Sequence, residues 1–242
     1  MKGGHHVLLS LCTAAVLLAP AAGTLPLPTL GAVLSGIFIG SLAPDADASD
    51  AAIFHGRRGR LGLLLPLFGY TIRYLIYYPI SCIFRFIFGS QARPRHRGLL
   101  HSAIGVAFSS VLLSLYIRLA LLVLGLPGDS ILILFGAGFF GGCILHLLED
   151  SCTPMGVAWW FPFRTTRLMG RIRTRSGDLR PTLFGITLAL AAAFLLAGPV
   201  VPDLPRVPLA GLAAVMVGAL WGIFLFVAGV HRGPDRLTSI NP

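Results

Sequence analysis

Long apolar runs decide what this chain can become. Val7 to Ala22, Leu30 to Ala43 (led in by Leu25 to Thr29), Leu99 to Leu126, Ser130 to Leu148, Thr182 to Val201 and Leu209 to Val230 are each almost free of acidic and basic residues. About 20 mostly apolar residues in a helix cross the ~30 Å hydrocarbon core of a bilayer. Six such runs in 242 residues leave too little polar surface for a water-soluble domain. Hydrophobic residues make up 55% and charged residues 12%, where soluble domains carry roughly 25% charge. Backbone groups inside hydrocarbon must be satisfied within their own segment, so the runs predict helices. The expected fold is all-α, a polytopic membrane protein with about six transmembrane helices. Residues 1–163 form a membrane domain, 164–181 a basic loop, and 182–242 two further transmembrane helices with a short tail.

A seventh apolar stretch, Leu61 to Gly89, carries Arg73, Arg85, Pro66 and Pro79. Charge decides how to read it. The net charge is +10, a balance that often marks nucleic-acid binding; in a membrane protein it reads instead as basic cytoplasmic loops. If Leu61 to Gly89 does not cross, one side holds Lys2, the arginines from Arg57 to Arg97, those from Arg164 to Arg180, Arg232 and Arg236. That is 17 of the 19 basic residues; Arg206 falls on the other side and Arg118 within a span. Both termini are therefore expected in the cytoplasm. Leu61 to Gly89 is expected as a re-entrant or interfacial helix pair, its arginines snorkelling to head groups and Tyr70, Tyr74, Tyr77 and Tyr78 at the interface. The small-residue run after the first apolar segment looks like a signal-peptide cleavage site, but His6 argues that the segment is retained. Cys12, Cys82, Cys143 and Cys152 show no paired spacing and read as packing residues.

That topology carries histidines and carboxylates to one membrane face. His6 opens the first span, Asp45 and Asp47 close the second, His96 and His101 open the third, and His146 and Asp150 close the fourth. None of these residues entered the charge count. Imidazole nitrogen and carboxylate oxygen are the ligands of zinc and similar first-row metals. His146 and Asp150, four apart, share one helix face. Ionisable groups at the edge of hydrocarbon mark function by default. Glu149 points about 100° away from Asp150 and is left out of the ligand set. His5, His55 and His231 read as solvated or interfacial.

These residues stand in four blocks: His6-Val7-Leu8-Leu9-Ser10; Pro44-Asp45-Ala46-Asp47; His96-Arg97-Gly98-Leu99-Leu100-His101-Ser102; and His146-Leu147-Leu148-Glu149-Asp150-Ser151-Cys152-Thr153-Pro154-Met155-Gly156. In them the chain resembles a family of membrane-bound, metal-dependent hydrolases of the inner membrane. The last three are similar to that family's Pro-Asp-x-Asp, His-Arg-Gly-x-x-His-Ser and His-x-x-x-Asp-x-x-Thr-x-x-Gly. Phe161-Pro162, preceded by Trp159 and Trp160, stands where the family usually has Trp-Pro. The likeness covers residues 6–163, about two thirds of the chain. The family's Asp-x-Asp is usually followed by His, Pro and Ser; Ala48-Ser49 stands here, so one ligand is missing and the number of metals is open.

The resemblance implies metal-dependent hydrolysis in the inner membrane. A looser similarity, in ligand types and helical setting, is to zinc-dependent phospholipase C and related zinc nucleases. The expected metal is divalent: zinc first, with manganese or iron as alternatives. His6, Asp45, Asp47, His96, His101, His146 and Asp150 are its expected ligands. Asp47, if not fully used as a ligand, is the expected general base, and Arg97 the group that neutralises a phosphate. Thr153 either orients Asp150 or caps its helix. The expected reaction is phosphoester cleavage at the cytoplasmic head-group layer, with anionic head groups docking the basic loops and no nucleic-acid partner. The alternative is a non-catalytic, metal-binding membrane scaffold or interaction protein. A metal or proton transporter fits less well, since its ionisable residues belong near mid-span.

Overall fold

A computed structural model describes residues 1, 3–48, 51–54, 64–89, 98–173, 177–197 and 209–233. Helix α1 spans Gly3–Leu18 and runs on into a 3-10 turn, Ala19–Ala21. Helix α2 is Leu27–Gly40. Helices α3 (Leu64–Thr71) and α4 (Tyr78–Phe88) are joined by a π-helical turn, Ile72–Tyr77. Then come α5 (Ala103–Val123), α6 (Asp129–Ser151), α7 (Arg180–Ala197) and α8 (Leu209–Val227). The fold is all-α, apart from a short antiparallel ribbon in which β1 (Arg167–Met169) pairs with β2 (His231–Gly233).

Gly3–Ala21, α5, α6, α7 and α8 are long and apolar enough to cross a membrane. The sixth span expected from sequence is shorter. Helix α2 has 14 residues, or about 21 Å at 1.5 Å per residue. Proline bounds it at both ends. Pro26 and Pro28 set its start, and Pro44 has no N–H to offer the carbonyl of Gly40, four residues back. What α2 lacks in length it makes up in contact with α6. Gly36 and Gly40 on α2 face Gly138 and Gly142 on α6. A Cβ at any of the four would collide with a carbonyl oxygen of the opposite helix: Phe135, Phe139, Val33 and Ile37 respectively. Small residues let transmembrane backbones touch in this way, and the contact brings the end of α2 alongside the end of α6.

Two apolar clusters flank that contact. One gathers Ile39, Ile72, Ile76, Phe84, Val106, Phe139 and Leu147 from α2 to α6. The other gathers Leu9, Val16, Phe184, Leu188, Trp221 and Phe224, so that α7 and α8 pack on α1. The Trp221 indole N–H donates to Thr13 Oγ1 (3.1 Å) and ties α8 to α1. At the far end of the bundle Arg118 pairs with Asp129 at 2.6 Å, which accounts for the one arginine expected within a span.

The stretch expected as a helix pair is instead one continuous helical run. Pro79 has no N–H to offer the carbonyl four residues back, Leu75. That carbonyl accepts from Tyr116 Oη instead, at 3.0 Å, and the π turn lies over this position. Ile72, Ile76, Ile80 and Phe84 are buried while Ile83, Phe86 and Ile87 face outward. Phe84 meets Phe108 edge-on (5.7 Å) and Phe88 meets Phe163 (5.4 Å), while Ile72 shares a small cavity with Pro44, Leu100 and Val106.

Candidate metal centre

Local sequence places each ionisable group. After α2 stops, Ala43–Asp47 forms a 3-10 turn that carries Asp45 and Asp47. His101 ends another such turn, Leu99–His101, immediately before Ser102 caps α5. The Ser102 hydroxyl accepts from Gly105 N (3.0 Å) and donates to Leu99 O (2.7 Å), satisfying one of the free N–H groups of a helix start. His146 and Asp150 sit on the last turns of α6. Thr153 Oγ1 donates to the Asp150 carbonyl at 2.7 Å, so the threonine caps the helix end. Gly156, at φ +60°, turns the chain into a bridge between Val157 and Leu168. Trp159 then clasps two elements. Its indole N–H donates to Ser151 Oγ (2.9 Å) and its carbonyl accepts from Ala103 N (2.9 Å). The end of α6 is thereby locked to the start of α5.

These elements bring four donors together. One ligand atom each from Asp45, His101, His146 and Asp150 lies within 4.8 Å of all the others. His101 Nε2 is 3.4 Å from Asp45 Oδ1 and 3.6 Å from Asp150 Oδ2. His146 Nε2 is 3.6 Å from Asp45 Oδ1 and 3.7 Å from Asp150 Oδ2. Donors around a tetrahedral ion with bonds of about 2.0–2.1 Å are separated by roughly 3.3–3.4 Å, so the spacing fits a metal. His101, His146 and Asp150 are fully buried, while the Asp45 side chain is 19% exposed.

Proton positions sharpen the fit. His146 Nδ1 lies 2.7 Å from the Ser41 carbonyl. A carbonyl only accepts, so this nitrogen carries the proton and Nε2 presents a lone pair. That Nε2 is buried and makes no hydrogen bond among the described residues. It lies between two carboxylate oxygens, and three acceptors in one place are what a cation suits.

Asp47 stays out of the four-donor group. Its Oδ2 lies 3.7 Å from His101 Nδ1, on the opposite side of the ring from Nε2. His6 stacks on His146, ring centroids 3.9 Å apart at 20°, with its Nε2 3.6 Å from Asp150 Oδ1. His96 and Arg97, and also His55, lie outside the described residues. Cys143 and Cys152 are buried and free, with Cys143 in the apolar core.

Glu149 lies outside the four-donor group, as its direction on α6 implies, yet is central to the layer. It is fully buried; Oε2 accepts from His6 Nδ1 at 2.5 Å and Oε1 from Ser10 Oγ at 3.2 Å. It points toward α1, and shares His6 with Asp150. The signal was present in the first block, where His6 and Ser10, four apart, share a helix face and call for one acceptor.

A family model described as YdjM inner membrane protein matches residues 1–230. No curated protein matches the chain, and no solved structure does.

Proposed function

The chain belongs to the YdjM inner membrane protein family, and from that premise we propose that this multi-pass inner-membrane protein is a metal-dependent hydrolase that cleaves a phosphoester at the cytoplasmic head-group layer. The observation that carries this reading is the buried group of Asp45, His101, His146 and Asp150, with donor spacings of 3.4–3.7 Å. Two carboxylates and two neutral imidazoles balance one divalent cation, and nitrogen and oxygen donors without thiolate favour zinc, manganese or iron. When bound, such a cation polarises a phosphoryl oxygen and makes a water acidic enough to attack near neutral pH.

The chain's own residues prepare that chemistry. The Ser41 carbonyl fixes the ring of His146. Asp47 acts through His101: its carboxylate lies 3.7 Å from Nδ1 and orients that imidazole electrostatically. Asp45 supplies the exposed edge at which a substrate meets the group. The loop carrying Arg167, Arg171 and Arg173 lies against the end of α6, with Gly170 N donating to Thr153 O (3.0 Å) and Ile172 N to Cys152 O (3.0 Å). Cations at that end draw anions such as phosphate to the membrane surface.

One observation favours the non-catalytic scaffold. Four protein donors fill a tetrahedral ion, and closed sites of that kind are structural more often than catalytic. A phosphoester panel assayed on detergent-purified protein, with and without chelator, separates the two readings. Chelator-sensitive hydrolysis, lost together with bound metal in His146→Ala, is expected. Metal retained with no turnover of any ester supports the scaffold.

A further inference from the structure

We infer that this centre is built for two divalent cations that share Asp150, the second held by His6. The inference rests on the metal-dependent reading above and extends it. The two oxygens of Asp150 serve different neighbours. Oδ2 faces His101 Nε2 and His146 Nε2 at 3.6 and 3.7 Å. Oδ1 turns the other way, to His6 Nε2 at 3.6 Å and to the Met1 amino nitrogen at 2.8 Å.

His6 is prepared as a ligand in the same manner as His146. Its Nδ1 donates to Glu149 Oε2 at 2.5 Å, and Ser10 Oγ donates to the other oxygen of Glu149 at 3.2 Å. The ring is thereby fixed with its Nε2 lone pair toward Asp150, and a hydrogen bond to the far nitrogen of a ligating histidine is the usual support for such a ligand. His6 is 1% exposed, and its Nε2 makes no hydrogen bond among the described residues. The 3.6 Å spacing from His6 Nε2 to Asp150 Oδ1 is that of donors sharing an ion, too long for a hydrogen bond. Asp45, Asp47, Glu149 and Asp150 together bring four carboxylates to the layer, matching the charge of two divalent cations.

The two positions differ in the number of side-chain donors. The first has four. The second has two, His6 Nε2 and Asp150 Oδ1, with the Met1 amino nitrogen as a further neighbour of that oxygen. Paired cations clamp the attacking and leaving oxygens of a phosphoryl group, which reconciles a four-donor group with catalysis. Glu149 is then a positioning residue that acts through His6.

The test uses the full chain in detergent, stripped of metal and reloaded with Zn2+ or Mn2+ alone. Elemental analysis should find two equivalents per chain, and the Mn2+ form should give a spin-coupled pair signal. His6→Ala should bind one equivalent and show an isolated Mn2+ signal. Glu149→Gln should keep the first equivalent and weaken the second by roughly 10–100-fold. One equivalent in the unaltered chain, or two in His6→Ala, overturns the second cation and leaves the first. No bound metal in the unaltered chain overturns the metal-dependent reading itself. The stoichiometry of the unaltered chain decides the matter even if a variant fails to fold.

Discussion

His146 donates its Nδ1–H to the main-chain carbonyl of Ser41 at 2.7 Å, across 105 positions of sequence. The bond joins the end of α2 to the last turns of α6, and it forms because four glycines let the two backbones touch. The site thus depends on residues with no side chain and no chemistry of their own.

Gly142→Ala tests that dependence. The added Cβ meets the carbonyl oxygen of Ile37 and the nitrogen of Ser41, so α2 must move away and carry Asp45 with it. We expect a loss of roughly 1–3 kcal/mol from overpacking, read as a lower melting temperature in detergent, together with weaker metal retention. Gly141→Ala is the control, since a Cβ there meets nothing within 4 Å. Equal effects from the two variants would argue against the close approach as the cause.

Asp47→Asn should keep its metal and lose activity. The carboxylate lies outside the four-donor group, 3.7 Å from His101 Nδ1, and such supporting neighbours are worth about 10–100-fold. Metal content and hydrolysis measured on the same preparation check this. Loss of the metal with the activity would make Asp47 a ligand.

The orientation expected from the loop charges places Gly128 and Asp203 on the periplasmic side, and Asp50 and Ser176 in the cytoplasm. Reporter fusions at these four positions read it directly. The helical run through α3 and α4 should leave Gly59 and Gln91 on one face, shown by labelling single cysteines in a background without the native four. Labelling from opposite faces would mean that the run crosses.

Asp178 predicts a pH effect. Hydrogen bonds from the Arg180 side chain, 2.9 Å from Nε and 2.6 Å from Nη2, pull its carboxyl down to about 2 against a modest burial penalty. An unfolded aspartate titrates near 3.9. A depressed folded value gives stability that is complete above about pH 4 and is lost as pH falls toward 2. Asp178→Asn should therefore lower stability by roughly 1 kcal/mol or less near neutrality, and the gap to the unaltered chain should close between pH 4 and 2. A gap independent of pH would show that the charge is not what stabilises the start of α7.

Much of the fold was legible because hydrocarbon allows so few alternatives. Apolar length alone located the spans, and alternating helix ends carried Asp45, His101, His146 and Asp150 to one layer. Other features were invisible to that reasoning. The run through α3 and α4 continues past Pro79 with a hydroxyl from Tyr116, 41 residues away, donating to the Leu75 carbonyl. Glu149 stays outside the four donors, as its direction on α6 implies, but its place behind His6 was not legible because His6 and Ser10 approach from α1.

Apolar periodicity, loop charge and the spacing of histidines and carboxylates thus determined that this chain is a helical membrane protein with an ionisable layer at one end. Only the tertiary structure decided which atoms meet. Asp45 and Asp150 join the same two imidazoles, Asp47 stands behind His101, and Glu149 stands behind His6. Those assignments depend on distances of a few ångströms set where α1, the end of α2 and the start of α5 meet the end of α6, and sequence spacing along one helix carries no information about the approach of another.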